Sequence, residues 1–153
     1  MTAEPVLEMV ARLLAKHALD VVLIGNAAAA LQGSPVTTLD IDFMFRKTPR
    51  NLEKLRALAD DLGAMVLRPY YPASELYRVA RDGDGLQLDF MAKIDGVRDF
   101  ASLRGRAQPA VFAGHEIPVA ALEDIIRSKQ AANRPQDRAV LPVLRRTLRE
   151  KKG

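Results

Sequence analysis

Cysteine is absent from the 153 residues, which excludes disulfides, thiolate metal sites and a thiol nucleophile. Such a chain suits a reducing compartment, so a cytoplasmic location is expected. Tryptophan is also absent and aromatic residues are only 5%, so no base-stacking surface is visible. No apolar run is long enough to span a bilayer, and no membrane partner is expected. The opening stretch carries Glu4 and Glu8 inside a helical pattern. It lacks a basic start followed by a continuous apolar block, so it does not read as a signal peptide. The only histidines, His17 and His115, stand at no ligand spacing from one another, so neither is read as catalytic or metal-binding.

What is present is the balance of a soluble globular chain, 48% hydrophobic and 27% charged. The length suits one domain over residues 1–153, with a core over about 5–118 and C-terminal helices over about 119–150. The net charge is +4, and base crowds into the last third, at Arg127, Lys129, Arg134, Arg138, Arg145, Arg146, Arg149, Lys151 and Lys152. The plain reading is a solvated helix end. The alternative is contact with a polyanion such as RNA.

Apolar spacing predicts a helix over Pro5–His17, with Pro5 suited to a first turn. A buried strand follows at Val21–Ile24, stopped by Gly25, then an alanine-rich helix over Ala27–Leu31. Leu39–Phe45 alternates apolar and acidic residues, the pattern of a strand with two unlike faces. Thr48-Pro49 opens a helix that Gly63 stops, and Met65–Leu67 is a short strand. Leu76–Arg81 and Leu86–Met91 flank Asp82-Gly83-Asp84-Gly85, a hairpin signal. Phe100–Arg104 is a short helix, and Ala110–Phe112 with His115–Ile117 form a second hairpin. Helices over Val119–Asn133 and Gln136–Arg149 close the chain. Early strand–helix units and later hairpins together predict an α/β domain with a mixed sheet flanked by helices.

The chemistry concentrates on three aspartates. Asp40 and Asp42 are separated by one strand residue, so period-two geometry sends both carboxylates to one side and Ile41 and Phe43 to the other. Neighbouring carboxylates repel, and a divalent cation resolves that repulsion; an all-oxygen donor set suits Mg²⁺ or Mn²⁺. Asp89 interrupts another apolar strand, Leu86–Met91. Beside the first pair it would complete a two-metal site or serve as a base toward an attacking hydroxyl. Upstream, Leu23-Ile24-Gly25-Asn26-Ala27 is a strand, a tight turn and a helix start, which can present backbone N–H groups to phosphate. Gly25 would allow close approach, and Asn26 would cap the helix. Tyr70 and Tyr71 lie in a loop, where they cover the core edge or stack on a base.

In order and spacing these motifs resemble the small nucleotidyltransferases of the DNA polymerase β-like superfamily, most closely the AbiEii-like and minimal types linked to toxin–antitoxin systems. The resemblance rests on Leu23-Ile24-Gly25-Asn26, Gly33, Thr38-Leu39-Asp40-Ile41-Asp42 and Leu88-Asp89-Phe90. It extends through Leu122–Asp137, where the family's closing helices carry a Lys and then an Arg-Pro-x-Asp turn. It implies the nucleotidyltransferase fold. It also implies metal binding by Asp40, Asp42 and Asp89, triphosphate contact by Gly25, Asn26 and Thr38, and a phosphate-reaching Lys129. Read without the family, Lys129 is equally a surface lysine, Asp137 a helix cap and Asp124 an early-helix carboxylate favoured by the dipole. Asn26 stands where the family has Gly or Ser, and Pro35-Val36-Thr37-Thr38 lacks the arginine that many relatives place before the acidic pair. The implied activity is metal-dependent transfer of a nucleoside monophosphate from a nucleoside triphosphate to a hydroxyl of RNA (such as tRNA), protein or a small molecule. The alternative is a nucleotide- or partner-binding module, weakly active or inactive, with a cognate toxin or antitoxin as partner.

Overall fold

The computed structural model describes residues 3–36, 40–69 and 75–153. Thr38 and Leu39, and the loop tyrosines Tyr70 and Tyr71, lie outside the described residues. In chain order the elements are α1 (Ala3–His17), β1 (Val21–Ile24), α2 (Gly25–Leu31), β2 (Ile41–Phe45), α3 (Pro49–Asp61), β3 (Met65–Leu67) and β4 (Leu76–Ala80). They continue with β5 (Gln87–Met91), α4 (Phe100–Arg106), β6 (Gln108–Phe112), β7 (His115–Val119), α5 (Leu122–Ala132) and α6 (Pro135–Lys152).

The strands form one seven-stranded sheet in the order β3-β4-β5-β2-β1-β7-β6. It is mixed, as the alternation of units predicts: β2 pairs with β5 and β1 with β7 in parallel, and the remaining pairs are antiparallel. The central strands are the most apolar, and Phe43, Phe45 and Phe90 are fully buried. Phe43 and Phe90 stack at 5.0 Å between centroids, and Phe45 meets Phe90 edge-on at 6.1 Å. Such aromatic pairs add about 1 kcal/mol each beyond their buried area. The register that stacks these rings also fixes the acidic residues, because Asp42 and Asp89 occupy the next rung of the same ladder.

Some boundaries differ from the sequence expectation for local reasons. Val119 belongs to β7, where it pairs with Leu23 and Gln108, so α5 begins at Leu122. The apolar run from Val119 to Leu122 carries no periodicity that separates a last strand residue from a first helix turn. The acidic strand begins at Ile41, which leaves Asp40 just ahead of it and exposed. Thr48 caps α3, accepting from the Asn51 backbone N–H at 3.1 Å. No described helix is long and apolar enough to cross a membrane.

Candidate functional site

The carboxyl end of β1 and the amino end of β2, which run antiparallel, open together onto a cavity of about 780 Å³. Gly25, Asn26, Asp40, Asp42 and Lys129 all line it. Of the aspartates expected from the sequence, Asp42 is partly buried on β2, and Asp40 precedes it at the rim. Asp89 sits beside Asp42 on β5, at the usual parallel-strand spacing of about 4.8 Å. Burial pushes the Asp42 carboxyl up to about 6, and the neighbouring Asp89 and Asp40 charges add to the effect. Lys129 and Arg134 act in the opposite sense.

Asp89 is 7% exposed and is engaged from its other side. Arg78 on β4 stands opposite it in register and donates from Nε at 2.9 Å and from its terminal nitrogen at 3.2 Å, one bond to each carboxylate oxygen. This fork is strong and fixes the plane of the carboxylate. Arg78 escaped the sequence reading because cross-strand partnership depends on the hairpin register, which composition does not reveal.

The turn after β1 is built around Gly25. Its φ of +68° lies in the left-handed region, and a Cβ there would stand 3.3 Å from Asp42 Oδ2. Glycine therefore both permits the turn and leaves room for the Asp42 carboxylate. The expected cap by Asn26 is not formed. Ile24 occupies the N-cap of α2, no side chain caps it, and Asn26 lies inside the first turn. Among the described residues, Asn26 Oδ1 is a buried acceptor without a hydrogen-bond partner. Such a group costs about 1–3 kcal/mol.

The opposite wall comes from the junction of α5 and α6. Asp137 is fully buried and receives Arg134 through the backbone N–H at 3.1 Å, Nε at 2.7 Å and a terminal nitrogen at 3.1 Å. Lys129 Nζ stands 3.8 Å from the same carboxylate, and its side chain is only 14% exposed. Burial lowers the affinity of Lys129 for its proton, while Asp137 works to keep it charged. Burial also opposes the charged form of Asp137, but the Arg134 hydrogen bonds outweigh it and hold its carboxyl below the ordinary range. So Asp137 is a helix cap, as expected, and also the anchor that fixes two cations on the side of the cavity facing Asp42. The signal for Arg134 was the Arg-Pro-x-Asp turn, a reciprocal capping arrangement with Pro at the first helical position.

Asp124 also lines the cavity and is 1% exposed. It lies in the first turn of α5, but its partners are Arg106 Nε at 2.8 Å and Arg127 at 2.8 Å, more than the helix dipole. Gly96, in the β5–α4 connection, is seated against α5: a Cβ there would come within 2.6 Å of the Arg127 carbonyl oxygen. That contact brings Asp95, Val97 and Arg98 to the cavity wall.

Residues 3–153 match a family model described as a nucleotidyl transferase of unknown function. The chain belongs to this nucleotidyl transferase family. No curated protein sequence matches it. Among solved structures, the chain is similar to ANT(2'')-Ia in complex with adenylyl-2''-tobramycin. The identity is 20% and the TM-score 0.66, over 99% of this chain and 92% of that one. It is also similar to a candidate nucleotidyltransferase of Thermotoga maritima, 21% identical with a TM-score of 0.62 over 95% of this chain and 92% of that one. The lincosamide antibiotic adenylyltransferase LnuA, lincomycin-bound, is 13% identical with a TM-score of 0.60 over 88% and 90%. These likenesses establish the nucleotidyltransferase fold for the chain.

In this transferase, Asp40 and Asp42 are the residues that could hold a divalent cation. Both line the same cavity, and the proton affinity of Asp42 is raised by burial and then by neighbouring negative charge, both of which a cation would offset. Asp89 fits less well, since Arg78 already takes both of its oxygens. Among the described residues no group of three or more carboxylates and imidazoles is drawn together as a metal-binding cluster. Thr38 lies outside the described residues; the cavity unites the other expected site residues except Asp89, which stands beside Asp42 on the neighbouring strand.

Proposed function

We propose that the protein moves a nucleoside monophosphate from a nucleoside triphosphate to an acceptor hydroxyl and releases pyrophosphate. The observation that carries this reading is the facing of two walls across one cavity, Asp40 and Asp42 on one and Lys129 and Arg134 on the other. The acceptor oxygen attacks the α-phosphorus, and the bond to the bridging oxygen of the leaving pyrophosphate breaks. Lys129 and Arg134 receive the charge of that leaving group. The hydroxyl proton passes to a carboxylate of the aspartate cluster, with Arg78 holding Asp89 in place beside Asp42. The Gly25 turn lets phosphate approach the backbone closely. Asp40 and Asp42 would hold Mg²⁺ or Mn²⁺, which when bound neutralises triphosphate charge. Two structural neighbours hold, by their descriptions, an adenylylated aminoglycoside and lincomycin, which supports transfer to a hydroxyl.

The test is pyrophosphate release with each of the four nucleoside triphosphates, with Mg²⁺ or Mn²⁺, against the Asp40→Asn/Asp42→Asn protein. Release that requires the metal and both aspartates is expected. Full activity in the double variant ends the proposal. The engagement of Asp89 by Arg78 favours a second reading, a module that binds nucleotide, or a cognate protein of the toxin–antitoxin kind, without turnover. Nucleotide binding with no pyrophosphate released under any acceptor condition selects it.

A further inference from the structure

The charge of the molecule is not spread over its surface. Helix α6 contains Arg138, Arg145, Arg146, Arg149, Lys151 and Lys152 against Asp137 and Glu150, six positive charges less two negative, or +4. That equals the net charge of the whole chain, so everything outside α6 sums to zero. Asp137 is buried beneath the junction, which leaves Glu150 as the one exposed acid on the helix.

Arg138, Arg145, Arg149 and Lys152 recur at intervals of seven, four and three residues, so they share one helical face, and all are exposed. That face flanks the buried one formed by Leu141, Leu144 and Thr147. From Arg138 to Lys152 it runs roughly 21 Å at 1.5 Å per residue. Among the described residues, Arg145, Arg149 and Lys152 make no ion pair or side-chain hydrogen bond. The other arginines around the site, Arg78, Arg106, Arg127 and Arg134, each hold an aspartate. Cations left unneutralised along such a length are the footprint of an extended polyanion. The stripe also begins at the cavity, because Gln136 and Asp137 in the first turn of α6 line it.

We infer that α6 is the docking surface for a single-stranded nucleic acid, an RNA, whose phosphates track the Arg138–Lys152 face while its terminal hydroxyl reaches the cavity. The inference deepens the transferase reading by naming its acceptor class. An anionic membrane fits less well. Among the described residues the exposed large hydrophobic side chains are Leu31, Met65, Leu67 and Val111, and none lies on α6 to enter a bilayer.

The experiment measures binding of a labelled single-stranded RNA between 50 and 200 mM salt. It compares the wild type with Arg145→Gln/Arg149→Gln/Lys152→Gln. Arg138 is kept because it also donates to the Asn133 carbonyl at the α5–α6 junction. Four phosphate contacts give a salt slope of about −2.8, roughly a 50-fold loss of affinity over that range, and the triple variant should fall to about threefold. Binding of nucleoside triphosphate is followed in parallel and should be unchanged in the variant. Wild-type binding to anionic vesicles but not to RNA overturns the inference, as does an RNA slope that the three substitutions leave intact. RNA binding through the stripe in a protein that binds no nucleoside triphosphate would sink the transferase reading and leave the docking surface standing.

Discussion

Replacing Asp42 by asparagine should stabilise the free protein while removing its activity. The carboxyl is held at about 6 in the fold against an ordinary value of 3.8. At 1.36 kcal/mol per unit, the difference corresponds to about 3 kcal/mol of cost to the ionised state. The folded value lies above the unfolded one, so between about pH 4 and 6 the folded protein binds the extra proton. The wild type therefore loses stability as pH rises through that window and bears the full cost above it. Asn removes the charge with little change of shape. At pH 7.5, Asp42→Asn should thus gain about 2–3 kcal/mol, or about 5–10 °C in Tm for a chain of this size. The gain should nearly vanish at pH 3.5, where the aspartate is mostly protonated in both states. Thermal melts of both proteins at pH 3.5, 5 and 7.5, without divalent metal, measure this. A variant less stable than wild type at pH 7.5, or a difference that does not change with pH, refutes the account of Asp42 as a carboxylate whose charge is disfavoured by burial and by its acidic neighbours.

Gly25→Ala meets two obstacles, a φ of +68° and the Asp42 carboxylate at 3.3 Å. It should cost about 1–2 kcal/mol in a denaturant melt and reduce turnover at least tenfold. Asp137→Asn weakens the anchor of Arg134 and Lys129. It should lower stability by about 2 kcal/mol and raise the Kd for nucleoside triphosphate, read by calorimetric titration, with the larger effect on binding. Gly96→Ala places a Cβ within 2.6 Å of the Arg127 carbonyl, and should lower Tm by several degrees through displacement of the β5–α4 connection. Asn26→Ser removes the buried acceptor that lacks a partner, and should raise stability by about 1 kcal/mol.

The parts of the fold legible in the sequence were those with a local physical cause. The Asp82–Gly85 hairpin, the Thr48 cap and the alternation around Asp40 and Asp42 each follow from turn chemistry or from a period of two. Arg78 on Asp89 and Arg106 on Asp124 were not legible, because each pair joins elements whose relative register is set by the core. The error at Asn26 has the same origin. An asparagine at a strand–helix turn ordinarily caps the helix, but α2 starts at Gly25, two residues earlier than expected, which places Asn26 inside the first turn. Lys129 was balanced between surface and site in the sequence, since helical periodicity does not say which helix covers which stripe.

The parallel pairing of Leu23 with Val119 has a kinetic consequence. The Gly25 turn lies next to a strand reached only after a long excursion through the chain. Closing that loop forfeits entropy before any contact repays it. Until β7 docks, α5 and α6 have no fixed place, and Lys129 and Arg134 cannot face the aspartates. The acidic strands β2 and β5 are closer in sequence and can pair first, which sets Asp42 beside Asp89 before Lys129 and Arg134 are in place to offset its charge. Folding of this protein should therefore show a late step that quickens with added salt, as screening relieves that repulsion.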